Sequence, residues 1–286
     1  MSGMPTIQRA AVLGLGIIGS RALARLREAG WQVAAWNRTP KGLPGEAATA
    51  EEAIHGAQVI SIYLKDRAAV RGVVEHISPH LTEGQIVLNH ATVDLETTQW
   101  LAEHCAERGA RFLDTPFTGS KNASAGGQLV YYTGGDPALV AEVEPYLMVT
   151  GKSLLPCGGI GSATVVKLAT NLISACTVQA LAEAMAISVK HGVSADDFQR
   201  AVALNAHASG LSAMKLPGMA TGDFDTHFSM ANMWKDSSYA VTLAEQAGLD
   251  APAIRSVSGR MKELCDEGLA DLDFSALAKP YLHPDL

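Results

Sequence analysis

Short apolar runs alternate with helical patterns over residues 8–155 of the chain. The spacing predicts seven strands separated by segments with helical periodicity. The first predicted helix begins at Gly19, places Leu23 and Leu26 on one face and can end at Gly30. Strands that alternate with helices are typical of a doubly wound parallel sheet. The predicted strands lie at 10–13, 32–36, 59–64, 86–89, 111–113, 129–133 and 153–155.

The pattern changes after Cys157, where helical periods continue without a convincing strand. Residues 162–191 predict one long helix, and Ser194 followed by Asp197 resembles a capping box at the start of another. We therefore expect an α/β domain at 1–161, followed by an all-α domain at 162–286 that the long interdomain helix enters. The further predicted helices lie at 194–206, 236–247 and 251–267.

Composition and charge narrow the class of protein. With 48% hydrophobic and 18% charged residues among 286, the chain is apolar and long enough for about two domains that each bury a core, which excludes a disordered protein. The net charge of −7 argues against nucleic acid as the main partner.

Cysteine usage and apolar runs bear on the cellular compartment. The four cysteines have no metal-site or redox spacing, so we expect reduced thiols, no metal and a cytoplasmic protein. Residues 1–9 lack the apolar region of a secretory signal. The uncharged run at 168–182 is too short to span a bilayer and contains Thr170, Asn171 and Gln179. It predicts a helix buried in protein and no membrane partner.

A glycine-rich turn follows the first predicted strand and opens the first helix. Gly14 permits the tight turn, Gly16 lets the backbone approach a pyrophosphate, and Gly19 allows close contact between helix and strand. The helix N-terminus supplies unpaired N–H groups to the anion. A glycine-rich turn without a ligand is the alternative, but the flanking elements favour a Rossmann dinucleotide-binding domain. The expected cofactor-binding residues of the turn are Gly14, Leu15, Gly16, Ile17 and Ile18.

The end of the second predicted strand bears on the type of dinucleotide. An NAD-preferring site presents a carboxylate to the ribose 2′-hydroxyl there, whereas this chain has Asn37, Arg38 and Thr39. Arg38 can pair with a 2′-phosphate bidentately, and Asn37 and Thr39 can add hydrogen bonds. The expected cofactor is therefore NADPH/NADP+, with an exposed loop arginine as the alternative.

A lysine on the long helix is the best candidate for chemistry. Lys167 and Asn171 are four residues apart, so they share one helix face and can converge on one ligand. Such a lysine can donate a proton to a carbonyl oxygen while hydride arrives at the carbon, with Asn171 holding the geometry. A lysine that extends to solvent at the start of a helix is the alternative interpretation.

These motifs resemble those of the β-hydroxyacid dehydrogenases, the family of 3-hydroxyisobutyrate dehydrogenase and the glyoxylate/succinic semialdehyde reductases. The resemblance implies a catalytic Lys167, with Asn171 orienting the substrate. Four blocks match in order and span nearly the whole chain. They are the turn at 14–19, the segment Asp114-Thr115-Pro116-Phe117-Thr118-Gly119-Ser120, the glycine-rich approach to Lys167 with Asn171, and Lys235-Asp236.

The resemblance also implies roles for residues outside the long helix. Backbone N–H groups of Thr118, Gly119 and Ser120 would take the substrate carboxylate, which a glycine-containing turn can do. Phe228 and Asp236 would lie at the substrate, while Leu64, Thr92 and Lys235 would lie at the cofactor.

The segment after Ser120 points to a branch of the family. With Lys121 it is more similar to the glyoxylate/succinic semialdehyde reductases than to 3-hydroxyisobutyrate dehydrogenase. Lys121 would then reach a distal carboxylate, or else be an exposed loop lysine.

His90 lies in a segment whose residues differ from the usual pattern of the family. We interpret it as a packed histidine at a strand end, with a cofactor-side role as the alternative. The short stretch between Thr39 and Glu52 predicts a shortened helix after the second strand.

The expected activity is NADPH-dependent reduction of a small anionic carbonyl substrate, an aldehyde- or keto-acid, where the two domains meet. An imine reductase is the nearest alternative, although that family typically replaces the lysine. A regulatory module that kept the dinucleotide fold is a further alternative, disfavoured by the intact Lys167, Asn171 and Asp236. The apolar long helix predicts a homodimer or homotetramer built on residues 162–286.

Overall fold

The computed structural model describes residues 8–285, which divide into two compact units. The first unit ends at Lys167 and the second begins at Leu168. The long helix begins at Ser162, where we placed the second domain, so the division by contacts falls six residues later. Most of the N-terminal segment that we examined for a secretory signal lies outside the described residues.

An eight-stranded sheet forms the centre of the first unit, in the order β2-β1-β3-β4-β5-β7-β6 with β8 beside β7. β1 lies between β2 and β3, so the strand order reverses at β1, because the chain moves outward from β1 to β2 and then returns past β1 to β3. Ligands of open α/β sheets bind at such a point, next to the carboxyl ends of the strands. The strands are β1 Arg9–Leu13, β2 Gln32–Trp36, β3 Val59–Ile62, β4 Ile86–Asn89, β5 Arg111–Asp114, β6 Phe117–Thr118, β7 Leu129–Gly134 and β8 Gly151–Gly158.

The sheet is mixed, so the prediction of a fully parallel sheet is wrong at one edge. β1 to β5 pair in parallel, whereas β7 runs antiparallel to both β5 and β6. The connection between β5 and β7 contains only the two-residue β6 and a five-residue helix, which is too short a helix to carry the chain back across the sheet. β6 was not predicted because two residues carry no periodicity.

Six α-helices cover the sheet, and acidic side chains cap several of them. Asp66, Asp94 and Asp136 each accept a backbone N–H of the helix that follows. The helix after β2 has only five residues, in agreement with the short spacing there. The helices are α1 Ile17–Glu28, α2 Ala50–Ile54, α3 Arg67–Ile77, α4 Leu95–Ala106, α5 Lys121–Ala125 and α6 Pro137–Leu147.

The regular elements that the structure describes in the second unit are helices, and an isolated β-bridge joins Ser229 and Asp273. Ser194 accepts the backbone N–H of Asp197 at 3.0 Å, so the predicted cap is present. α9 was not predicted because Pro217 and Gly218 interrupt its pattern, and α10 begins at Met230, six residues before the predicted start. The α-helices are α7 Ser162–Lys190, which begins in the first unit, α8 Ala195–Ala203, α9 Gly210–Thr221, α10 Met230–Gln246, α11 Pro252–Leu264 and α12 Lys279–Leu282.

α7 supplies one side of the core of the second unit. Leu168, Val178 and Met185 on this helix are buried and pack in one apolar cluster with residues of the other helices. By length and composition alone α7 would be able to cross a membrane, and among the described residues it is the one helix that passes this test. Core helices pass the same test, and Leu168, Val178 and Met185 of α7 lie in the apolar core of the second unit.

Candidate active site

Two of the three glycines after β1 are required by packing. A Cβ on Gly14 would lie 2.3 Å from the backbone oxygen of Tyr63, and one on Gly19 would lie 1.9 Å from the backbone oxygen of Gly14. Gly14 also has a φ of +101°, which only glycine adopts readily. Gly16 is exposed and a Cβ there would meet nothing within 4 Å. The turn therefore brings α1 against the strands and leaves an open face at Gly16.

Asn37 at the end of β2 holds this turn from the side. Its Oδ1 accepts the backbone N–H of Leu15 at 2.9 Å, and its Nδ2 donates to the backbone oxygen of Thr39 at 2.7 Å. Leu15 is buried, and its N–H and the Asn37 amide stabilise the loop in this conformation, while their contacts with a cofactor stay predictions. Arg38 and Thr39 are exposed beside them.

A carboxylate lies close in sequence to Arg38 but faces the backbone. Both Glu46 oxygens accept the N–H of Lys41 at 2.9 Å, and one accepts the N–H of Leu43 at 3.1 Å. The hydrogen bond from the Lys41 backbone is the largest influence that lowers the pKa of Glu46. The Glu46 carboxylate therefore stabilises the loop between β2 and α2 through these hydrogen bonds.

The carboxyl ends of β3 and β4 carry the other segments that we expect at the cofactor. Leu64 and Thr92 are half-buried there, and a Leu64 methyl lies 3.0 Å from the position of a Gly14 Cβ. His90 is buried and stacks on Tyr63 with a ring separation of 4.4 Å. Its ring nitrogens lie 2.9 Å from the Thr115 backbone oxygen and 3.1 Å from the Ser61 hydroxyl. Burial lowers the pKa of His90 to about 4, so a neutral packed histidine fits the structure.

The segment expected to bind a carboxylate forms the turn between β6 and α5. Thr118 ends β6 and is exposed, and Gly119 has a φ of +140°. A Cβ on Gly119 would lie 2.8 Å from a Leu129 methyl, so glycine is required. The Ser120 hydroxyl caps α5, whose first residue is the half-buried Lys121. Gly119 is also exposed, so the backbone of this turn is accessible.

A buried carboxylate that we had assigned no role caps α7. The Thr164 backbone N–H donates to Asp114 Oδ2 at 2.7 Å, and the Thr164 hydroxyl donates to Oδ1 at 2.9 Å. Burial raises the pKa of Asp114 to about 6, although hydrogen bonds from Thr164 and from the Gly161 backbone act in the opposite direction. Asp114 therefore fixes the first turn of α7, three residues before Lys167.

Asn171 is joined to a residue of α10. Its Nδ2 donates to Asp236 Oδ2 at 2.6 Å, and both side chains are buried. Lys235 Nζ lies 3.0 Å from Asp236 Oδ1, an ion-pair contact without hydrogen-bond geometry at that oxygen. The structure thus brings Asn171, Lys235 and Asp236 together, with the half-buried Phe228 just before α10. Lys167 lies one turn before Asn171 on α7. The Asn171–Asp236 contact was not predicted because it joins residues 65 apart.

Family models match almost all of the described chain. Residues 9–159 match a model described as the NAD binding domain of 6-phosphogluconate dehydrogenase. Residues 161–281 match a model described as "NAD-binding of NADP-dependent 3-hydroxyisobutyrate dehydrogenase". The fold and these matches define a nicotinamide-dinucleotide-dependent oxidoreductase.

Comparisons with individual known proteins indicate the same family as the two family models. The chain is 30% identical over 275 residues to glyoxylate/succinic semialdehyde reductase 1 of Arabidopsis thaliana, over 93% of this chain and 95% of that protein. A 3-hydroxyisobutyrate dehydrogenase of Mycobacterium tuberculosis, solved with L-serine, has a TM-score of 0.88 at 24% identity over 96% of this chain and 99% of that one. An imine reductase from Pseudomonas sp. has a TM-score of 0.64 at 20% identity over 95% and 98%. The chain belongs to the β-hydroxyacid dehydrogenase family.

The variant Asp114→Asn is expected to remove a pH-dependent part of the stability. The folded-state pKa of about 6 lies above the ordinary value of 3.8, so this carboxyl favours folding most when it is protonated. Its contribution is fully present below about pH 4 and is lost as the pH rises through about 6. The free energy of unfolding of the wild type minus that of Asp114→Asn should fall by up to about 3 kcal/mol between about pH 4 and pH 7.

Urea unfolding of both proteins across this pH range measures the difference. Asp136→Asn is the matched control, because Asp136 also caps a helix, by accepting the Ala138 N–H at 2.9 Å, but does so from an exposed position. A difference between wild type and Asp114→Asn that stays constant with pH would contradict the raised pKa.

Proposed function

We propose that the protein is an NADPH-dependent reductase of small aldehyde- or keto-acids, with Lys167 as the general acid. One observation supports this most strongly: Lys167 and Asn171 lie one turn apart on α7, and Asn171 is held by the buried Asp236 through a 2.6 Å hydrogen bond. A preorganised amide beside a lysine suits a carbonyl group, whose oxygen gains negative charge during reduction.

The glycine turn fits the dinucleotide. The space beyond Gly16, which a side chain would fill, suits a pyrophosphate, and the first N–H groups of α1 are available to its oxygens. When bound, the nicotinamide supplies the hydride. Gly16, Ile17 and Ile18 would hold the pyrophosphate, and Leu64 and Thr92 would line the nicotinamide side.

Lys167 supplies the proton that balances hydride addition. In its charged form the ammonium donates to the carbonyl oxygen, so that the alkoxide is neutralised as it forms. A protonated lysine is already the required form for reduction at neutral pH. Asn171 orients the substrate, and Asp236 acts through it by fixing the amide, while Lys235 offsets the Asp236 charge at 3.0 Å.

The carboxylate of the substrate is assigned to the turn at Thr118, Gly119 and Ser120. Consecutive backbone N–H groups at a glycine with positive φ can converge on one anion. Lys121 follows at the start of α5, where its ammonium can pair with a carboxylate that lies distal to the carbonyl group. The semialdehyde of a dicarboxylic acid carries its single carboxylate at the end of the chain away from the aldehyde, so Lys121 suits such a substrate.

Arg38 is the basis for the choice of NADPH. It is exposed at the end of β2, and the nearby Glu46 carboxylate is bound to backbone N–H groups. Because Glu46 bonds to the backbone and not to Arg38, the guanidinium suits a 2′-phosphate.

The second unit is proposed to form a homodimer or homotetramer. Ile173 and Ile187 on α7 are each 62% exposed. They are fourteen residues apart and therefore lie near one face of the helix. Apolar side chains aligned on one exposed face suit burial against a second copy.

The activity is tested with NADPH against glyoxylate, succinic semialdehyde, methylmalonate semialdehyde, tartronate semialdehyde and a cyclic imine. We expect reduction of at least one carbonyl acid and little reduction of the imine. Lys167→Met should lower kcat/KM by about 100-fold to 10,000-fold, because proton transfer to the carbonyl oxygen is lost, while NADPH still binds. Lys190→Met, at the exposed end of the same helix, is the matched control. Full carbonyl reduction by Lys167→Met would exclude the mechanism.

Cofactor choice is tested with Arg38→Ala. Loss of a charged hydrogen-bonding partner should weaken NADPH binding about tenfold to hundredfold and leave NADH binding nearly unchanged. Fluorescence titration with each dinucleotide gives both dissociation constants. Arg108→Ala removes an exposed arginine elsewhere in the first unit and serves as the control. Equal weakening for the two dinucleotides would contradict the role of Arg38.

Assembly is tested by light scattering coupled to size-exclusion chromatography. The wild type should elute as a dimer or tetramer, and Ile173→Lys with Ile187→Lys should shift it to smaller species, because two charges would enter the buried face. Met148→Lys places a charge at an exposed apolar position of the first unit and should leave the assembly unchanged. A monomeric wild type at micromolar concentration would refute the proposal.

A further inference from the structure

The second unit contains a buried ion pair that the proposed mechanism does not use. Lys215 on α9 and Asp273 are both almost fully buried, with exposed fractions of 4% and 1%. The ammonium lies 2.8 Å from each carboxylate oxygen. Removing two charges from water is costly, and apolar residues in the same places often stabilise a fold equally well. The contacts of this ion pair therefore indicate a role other than stabilising the fold.

The carboxylate of Asp273 binds the segment that leads from α9 to α10. Its Oδ2 accepts the backbone N–H groups of His227 and Phe228, each at 3.1 Å, and its Oδ1 accepts that of Ser275 at 3.0 Å. These bonds and the Lys215 ammonium lower the pKa of Asp273, even though its burial acts to raise it. One side chain thus fixes the backbone at Phe228.

A second aromatic residue, Phe274, links the Lys215 ammonium to the Phe228 ring by contacting both. Lys215 Nζ lies 4.4 Å from the centre of the Phe274 ring. Phe274 in turn meets Phe228 edge to face, with ring centres 6.2 Å apart and planes at 88°. Both the backbone and the ring of Phe228 are therefore held by groups that contact the ion pair.

The same segment sets the start of α10. The Met230 and Ala231 N–H groups donate to the backbone oxygens of Leu272 and Ala270 at 2.8 and 3.0 Å. Ser229 caps α10 by accepting the Asn232 N–H at 3.3 Å. Because a helix moves as a rigid element, a shift of this first turn displaces residues further along it, including Asp236, which holds Asn171.

We propose that the Lys215–Asp273 ion pair is a positioning pair for the candidate active site, which holds the Phe228 ring and the start of α10 and so places Asp236 and Asn171. The inference rests on the proposed function for the roles of Phe228, Asp236 and Asn171. Lys215 and Asp273 act only through those residues and contact neither substrate nor cofactor in the reaction.

Two variants separate positioning from stability. In Asp273→Asn one of the two acceptor oxygens becomes an NH2 group, so either the N–H groups of His227 and Phe228 or that of Ser275 lose their acceptor, and Lys215 loses its charged partner. Lys215→Met with Asp273→Leu replaces the whole pair by apolar side chains, which removes the buried charges and every carboxylate contact while thermal stability is largely retained. Asp271→Asn is the matched control, because Asp271 lies two residues away, carries the same charge and is exposed.

We expect Asp273→Asn and the double variant to lower kcat/KM for the carbonyl acid about tenfold to hundredfold, as small displacements of reacting groups do. NADPH binding should change less than kcat/KM does, because the glycine turn belongs to the first unit and, of the residues expected at the cofactor, Lys235 alone lies on α10. Asp271→Asn should retain wild-type kinetics. If the double variant keeps both its melting temperature and its kcat/KM, the positioning role is refuted. If the double variant does not fold, wild-type kinetics of Asp273→Asn refute it instead.

A structural readout makes the test independent of the substrate. Trp234 lies on α10 beside Lys235, so its ¹⁹F resonance in 5-fluorotryptophan-labelled protein reports on this helix. The resonance, assigned with Trp234→Phe, should shift in Asp273→Asn and not in Asp271→Asn. An unshifted resonance contradicts the inference. A wild type that reduces none of the carbonyl acids contradicts the proposed function instead, and the ¹⁹F result then still decides whether the pair positions α10.

Discussion

The hydrogen bonds between Asp114 and Thr164 fix where α7 begins. The direction in which the candidate catalytic side chains extend from the axis of α7 depends on that starting point. Lys167 follows Thr164 by about one turn, and Asn171 follows Lys167 by about one more. If the helix began one residue later in register, both side chains would rotate by about 100° around its axis. The carboxylate can be buried because the helix N-terminus and the Thr164 hydroxyl replace part of its hydration.

Several polar side chains in this protein bind neighbouring residues and so prepare the groups that would meet ligands. Asn37 binds Leu15 in the glycine turn, Asp236 binds Asn171, and Asp273 binds the backbone at Phe228. A reacting group that is already held in place loses little freedom when the substrate arrives. Asn37, which the sequence places at the cofactor, thus also holds the loop that contains Leu15.

Most of the first unit could be predicted from its sequence because its strands are continuous apolar runs between turn residues. The direction of β7 could not be predicted, since periodicity reports burial and does not report the orientation of a neighbouring strand. β6 is shorter than any periodic signal. α9 contains Pro217 and Gly218, whose local preferences oppose a helix, yet packing of buried residues such as Leu216 and Met219 stabilises it.

The sequence by itself determined the dinucleotide turn and the position of Lys167 and Asn171 on one helix, because each depends on spacing within a few residues. It also determined the family, because four blocks match in order along nearly the whole chain. The tertiary structure alone decided which polar groups meet. Asp114 and Thr164 are 50 residues apart, Lys215 and Asp273 are 58 apart, and Asn171 and Asp236 are 65 apart. Hydrogen bonds form only within about 3 Å, and folding, not local pattern, brings such distant residues that close.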